Sequence, residues 1–361
     1  MVYRNLVAMD ARLPGLDDIR GVVGIPNNVT PRKSELNYGR VMVHLLREAR
    51  ALDAPGTEIA RLVYVGDTRL NDGTAFVNAC RAGNWPGIAF IGSRKGDTPQ
   101  VEIVEECGYP LYLANRWSML ADFDVYCREY GFPLDEGTAV ILDLDKTLLG
   151  ARGRNDHVIN VARVAAVRRT VGELLGATFN PESFQEAYDL LNQTEFHPFT
   201  TDNQDYLAYI CLIVGSGLYA LAPLVDDILT GRWASFVPFI DAVNARTGEL
   251  PADLRAIHRD IYTFVQQGDP TPFKAFRYNE YRETVGRMGA LPEDADAEVL
   301  LAQEICITRE VQEVAMAWRD QGALLFGLSD KPDEASIPPE ELAAQGYVPI
   351  HRARTHMVGA A

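Results

Sequence analysis

The chain has 361 residues, 47% of them hydrophobic, enough to bury a sizeable core and to divide into two domains. A net charge of -16 and a pI near 4.8 exclude a binder of nucleic-acid backbones and demand a local cation wherever an anionic ligand is held. Cys80, Cys107, Cys127, Cys211 and Cys306 are odd in number and never paired as CxxC, which excludes a disulfide framework or zinc cluster and reads as thiols of a reducing, cytoplasmic setting.

The opening "MVYRNLVAMDARLPG" lacks a basic segment leading into a long apolar run, so no secretory signal is expected. In "TPRKSELNYGRVMVHLLREAR" a lone Lys33 precedes a helical pattern. From about residue 60 to 150, "RLVYVGD", "GIAFIGS", "PLYLANRW" and "TAVILDLD" read as strands separated by amphipathic stretches, the pattern of a parallel α/β sheet. From about 155 to 310 strand signals nearly vanish, and "HVINVARVAAVRRTVGELLG" and "ITREVQEVAMAWRDQG" carry apolar residues at helical spacing. Within that region the uncharged segment 206–225 is long enough to cross a bilayer. Its central Gly-Ser-Gly and Pro223 predict instead two shorter buried helices, and the flanking acids Asp202, Asp205, Asp226 and Asp227 supply no orienting basic bias. Strand patterns return in "ALLFGLSD" and in "GYVPIHRA".

Three apolar runs deliver polar groups at or just past their ends: Asp67, the pair Asp143 and Asp145, and Ser329 with Asp330. In an open parallel sheet the ligand crevice lies beyond those carboxyl ends, so three strands point at one site. Carboxylates crowded there repel one another unless a cation neutralises them. With no histidine cluster, an all-oxygen donor set beside a phosphate suits magnesium. An aspartate can then attack phosphorus while a second carboxylate serves as proton donor and acceptor, a division that the i, i+2 spacing of Asp143 and Asp145 allows.

These residues carry a resemblance. "ILDLDKTLLG" resembles the first motif of the haloacid dehalogenase superfamily, a hydrophobic strand followed by Asp-x-Asp-x-Thr/Val. "LLFGLSDKP" is similar to its second motif, "LVYVGDTRLNDGTAFVNACRAG" to its acidic fourth with Asp67 and Asp72, and Lys33 to its third. The order here is third, fourth, first, second, whereas the family starts with the first motif and ends with the fourth. The resemblance therefore implies a circularly permuted Rossmann-like α/β core at 1–150 and 311–361, with a mainly α-helical cap inserted at 151–310; the rival is two separate domains. Nearby termini make such a permutation physically cheap.

The resemblance implies that Asp143 is nucleophile and metal ligand, and that Asp145 is general acid and base, with its backbone carbonyl on magnesium. Ser329, Lys33 and Thr147 would bind phosphate, and Asp67 and Asp72 would complete the metal site, Asp72 through water. Lys331, two residues past Ser329, offers the same charge as Lys33, and the sequence leaves both open. Taken alone, "GDTRLND" reads equally as a solvated turn, and Ser329 reads as a helix N-cap. "DKT" also resembles the phosphorylation motif of ion-pumping ATPases, but the following Gly-Thr is missing and the strand ends at Asp143. Arg152 and Arg154 in "GARGRND" read as a grip on an anionic substrate or as solvated hinge residues. The expected function is magnesium-dependent hydrolysis of a small phosphorylated metabolite, with no nucleic-acid or membrane partner. The alternative is a non-hydrolytic relative, a regulatory or carrier-binding protein like the glyceryl-transfer proteins.

Overall fold

A computed structural model describes residues 1–27, 29–201 and 203–359; the flanking acid Asp202 lies outside them. The chain divides into two compact units, the first made of 1–160, 285–336 and 348–361, the second of 161–284 and 337–347.

The first unit is built on strands β1 (Arg61–Gly66), β2 (Gly87–Gly92), β3 (Val101–Glu106), β4 (Tyr109–Ala114), β5 (Thr138–Asp143), β6 (Ile307–Thr308), β7 (Leu324–Leu328) and β8 (Met357–Val358). Six of them form one sheet in the order β3-β4-β2-β1-β5-β7. All neighbours are parallel except β3 and β4. That antiparallel edge corrects the expectation of a wholly parallel sheet. Its strand "VEIVEE" exposes a row of charge, as edge strands do to discourage further pairing.

Side-chain alternation divides each central strand between two cores. Leu62, Tyr64, Ala89, Ile91, Ala139 and Ile141 face helices Leu36–Asp53 and Thr74–Gly83, burying Val41, Leu45, Phe76 and Cys80 between them. Val63, Val65, Ile88, Phe90, Val140 and Leu142 face the other way, onto Leu120, Phe123, Val311 and Trp318 of helices Leu120–Glu129 and Arg309–Asp320. Covered on both faces, β2 and β5 read as unbroken apolar runs. At the β7 edge, Val2 bridges Leu328 in parallel.

The short strands β6 and β8 pair separately. "GYVPIHRA" is not a strand: Pro349 provides no ladder amide, and Ile350–Arg352 form a 3₁₀ turn. Four cysteines are buried and Cys107 is exposed, all free.

The second unit is helical, with Val171, Phe184, Leu207, Ile210, Phe239, Ile240 and Ile261 in its core. The uncharged segment breaks as its glycines predict, into Gln204–Gly215 and Leu221–Leu229. Among the described residues no helix is long and apolar enough to cross a membrane.

Candidate functional site

β1, β5 and β7 are neighbours and parallel, so their carboxyl ends share one edge of the sheet. Asp67 follows β1, Asp143 closes β5 and Ser329 follows β7. A third acid, Asp72, returns to this edge through a π-helical turn, Arg69–Gly73. Its Oδ2 accepts the amides of Asp67 and Thr68, both at 2.9 Å, and the Thr68 hydroxyl at 3.1 Å. Its Oδ1 accepts the Tyr64 hydroxyl at 3.2 Å. Gly66 makes room for this: a Cβ there would lie 2.5 Å from the Cβ of Asp72.

Lys33 joins the acids. Its Nζ donates to Asp72 Oδ1 at 2.7 Å and to Asp143 Oδ1 at 2.8 Å. The backbone that carries it is fixed by Asn78, whose Nδ2 donates to the Lys33 carbonyl at 3.1 Å. Asn78 reaches that carbonyl because the two flanking helices approach very closely: a Cβ on Gly39 would sit 2.3 Å from the Asn78 carbonyl oxygen. The Thr147 hydroxyl donates to Asp143 Oδ2 at 3.0 Å, and Asp67 is ion-paired with Arg152 Nε.

After Asp143 the chain leaves the strand in a tight turn, with Lys146 in the left-handed region at φ 65. Leu148 N–H returns to the Asp143 carbonyl at 3.3 Å. Thr308 on β6 clamps this turn: its N–H donates to Leu148 O at 2.8 Å and its hydroxyl to Thr147 O at 2.6 Å.

Two cations, Lys33 and Arg152, stand against three buried or nearly buried acids. Burial pushes the Asp143 carboxyl well above its ordinary range despite Lys33, and burial with the Asp72 charge raises Asp67 to about 7. For Asp72 burial is outweighed by the Lys33 ammonium and the Thr68 amide, and its carboxyl falls to about 2. Lys33 is buried too, yet the acids and tyrosines around it hold its ammonium charge firmly. The cluster is thus short of positive charge. Oxygens of Asp67, Asp72 and Asp143 all lie within 4.8 Å of one another, a hard-donor group capable of chelating a divalent ion, as in a metal-dependent hydrolase.

The other expected residues are placed differently. Asp145 lies within the turn, and its carboxylate is not part of the converging trio. Buried Ser329 caps no helix; its Oγ accepts the Lys331 amide at 3.1 Å. Between the two candidate lysines, it is Lys33 that bridges the acids. Arg154 is taken up by Glu310 and the Val358 carbonyl, which corrects its reading as a substrate grip or a solvated residue. Tyr64 went unnoticed within its strand, although period two puts it on the face of Gly66, toward Asp72. No protein-family model, curated protein or solved structure matches the chain.

Proposed function

We propose that the chain is a circularly permuted phosphatase of the haloacid dehalogenase type, hydrolysing a small phosphorylated metabolite with magnesium. The observation that carries this reading is the Lys33 bridge between Asp72 and Asp143, with Asp67 in the same cluster. Segments far apart in sequence supply complementary parts of one site, and none is duplicated.

In this reading Asp143 attacks phosphorus as the bond to the leaving oxygen breaks, and Asp145 gives that oxygen its proton. An aspartyl-phosphate results. Asp145, now a carboxylate, takes a proton from water, whose oxygen displaces Asp143 and releases phosphate. Thr147 orients the nucleophile through Asp143 Oδ2, and Asp72 holds the Lys33 ammonium against the reacting carboxylate. Ser329, at the end of the adjoining strand, is assigned to the phosphoryl oxygens. Asp67 and Asp143, with the Asp145 carbonyl and with Asp72 behind them, would hold magnesium, which when bound neutralises charge on the phosphoryl group. The helical unit, inserted in the chain between the first and second motifs, is the candidate cap.

The test is a panel of phosphorylated metabolites assayed with magnesium. Wild-type protein should release phosphate from at least one, and Asp143→Asn or chelation should abolish it. Equal inertness of wild type and Asp143→Asn across the panel overturns the enzyme reading in favour of the carrier-binding alternative.

A further inference from the structure

Two neighbouring arginines have opposite fates. Arg154 is 4% exposed at its side chain and spends its guanidinium on Glu310 and the Val358 carbonyl. Arg152 is held by its backbone instead: its N–H donates to the Lys146 carbonyl at 2.8 Å, and its carbonyl accepts Arg94 N–H at 2.9 Å and Trp117 Nε1–H at 3.2 Å. Its side chain stays 33% exposed, against 7% for the Asp67 it pairs with. Only Nε is engaged, so among the described residues Nη1 and Nη2 have no protein partner. A guanidinium fixed at its root, open at its tip and seated on a metal-binding acid has donors to spare for an anion.

We propose that Arg152 is an exchangeable counter-ion: it neutralises Asp67 in the metal-free protein, and it grips the substrate's phosphate when Asp67 turns to the metal. This rests on the phosphatase reading and adds to it a phosphate-binding residue that the four motifs do not contain. Lys33 already gives two of its three ammonium donors to Asp72 and Asp143, whereas both Nη groups of Arg152 remain to offer an anion. Arg152 contributes to both equilibria with opposite signs, since it competes with the cation at Asp67 and cooperates with it at the anion.

The experiment measures two equilibria by calorimetric titration: magnesium alone, and inorganic phosphate in the presence of saturating magnesium. In Arg152→Gln, magnesium should bind roughly fivefold tighter, the scale of a partly exposed ion pair, while phosphate binds roughly tenfold or more weakly. Arg152→Lys keeps the charge but not the fork, so its phosphate affinity should fall between the two. Thermal unfolding checks that each variant is folded; the backbone bonds that anchor position 152 do not depend on its side chain. Unchanged phosphate affinity in both variants, or weaker magnesium binding in Arg152→Gln, overturns the proposal and leaves the phosphatase reading intact. Wild-type protein that binds no magnesium and turns over no phosphoester fails the reading itself.

Discussion

Each unit buries a charge cluster, and the two are balanced differently. In the helical unit Arg277 pairs with Asp205 through Nε and Nη2 and with Glu280 through Nη1, Arg163 donates to Glu280, and Phe273 N–H completes Asp205 at 3.0 Å. Two arginines meet two acids. In the α/β unit Lys33 and Arg152 meet three acids; burial raises the carboxyls of Asp143 and Asp67, as it raises Asp205 in the helical unit, so the clusters differ in their ratio of cations to acids. The first arrangement balances its charge; the second has acids to spare and is capable of chelating a divalent ion. Composition does not separate them, since both are acids beside bases. The sign of the leftover charge does.

The largest effect should come from removing the central cation of each cluster. Lys33→Met and Arg277→Met each strand buried carboxylates and should cost about 3–5 kcal/mol in urea unfolding. Magnesium should recover a substantial part of the loss in Lys33→Met by taking up the same acids. It should recover none in Arg277→Met. Equal recovery in both variants would erase the distinction between the clusters.

Asp143→Asn tests the surplus charge directly. Turnover should fall by roughly three orders of magnitude or more, as expected on losing a nucleophile. Stability should move the other way. A carboxyl whose folded pKa lies above its ordinary value of 3.8 favours the native state while protonated, an advantage present below that value and lost as pH rises through the folded one. The variant removes this group, so its unfolding midpoint in metal-free buffer should decline less than that of wild type as pH rises from acid to neutral. A parallel decline in both proteins would count against the burial of an uncompensated acid.

The sequence made the strand ends legible because an apolar run that stops at a carboxylate is a local signal. It needs no partner to be noticed. Lys33 was found only through motif resemblance, since its partners lie 39 and 110 residues away. The pairing of Arg152 with Asp67, across 85 residues, had no local trace beyond the cation itself. Strand β3 escaped because its three glutamates suit a solvated edge as well as a loop. The segment at 346–353 was overread, as its apolar residues hid the consequence of Pro349. Periodicity records burial; it does not record which distant groups share a charge.

Gly66→Ala addresses the placement of the acids and leaves their charge untouched. The added methyl would fall 2.5–2.7 Å from the Asp72 side chain, which several hydrogen bonds hold in place. Relief by backbone movement should cost about 1–3 kcal/mol. Magnesium affinity measured by titration should fall with it, because Asp72 would carry Lys33 out of register. A variant as stable as wild type, with unchanged affinity, would show that Asp72 has room to move.

The smallest effect separates two buried threonines that make similar bonds. Thr308 donates its hydroxyl to the Thr147 carbonyl, and Thr170, in the helical unit, donates to Ala166 O at 2.8 Å and accepts from Asn279 at 2.9 Å. Replacing either with valine removes a hydroxyl without removing volume, at about 1 kcal/mol apiece. Their catalytic consequences should differ. Thr308→Val loosens the turn that follows Asp143 and carries Thr147, so kcat should drop several-fold with KM nearly unchanged, the mark of a nucleophile less well aimed. Thr170→Val should lose the same stability and keep kcat, because its partners Ala166 and Asn279 touch no reacting atom in the proposed mechanism. A kcat loss of equal size in both variants would mean that turnover follows global stability, and the clamp on the Asp143 turn would then have no catalytic part.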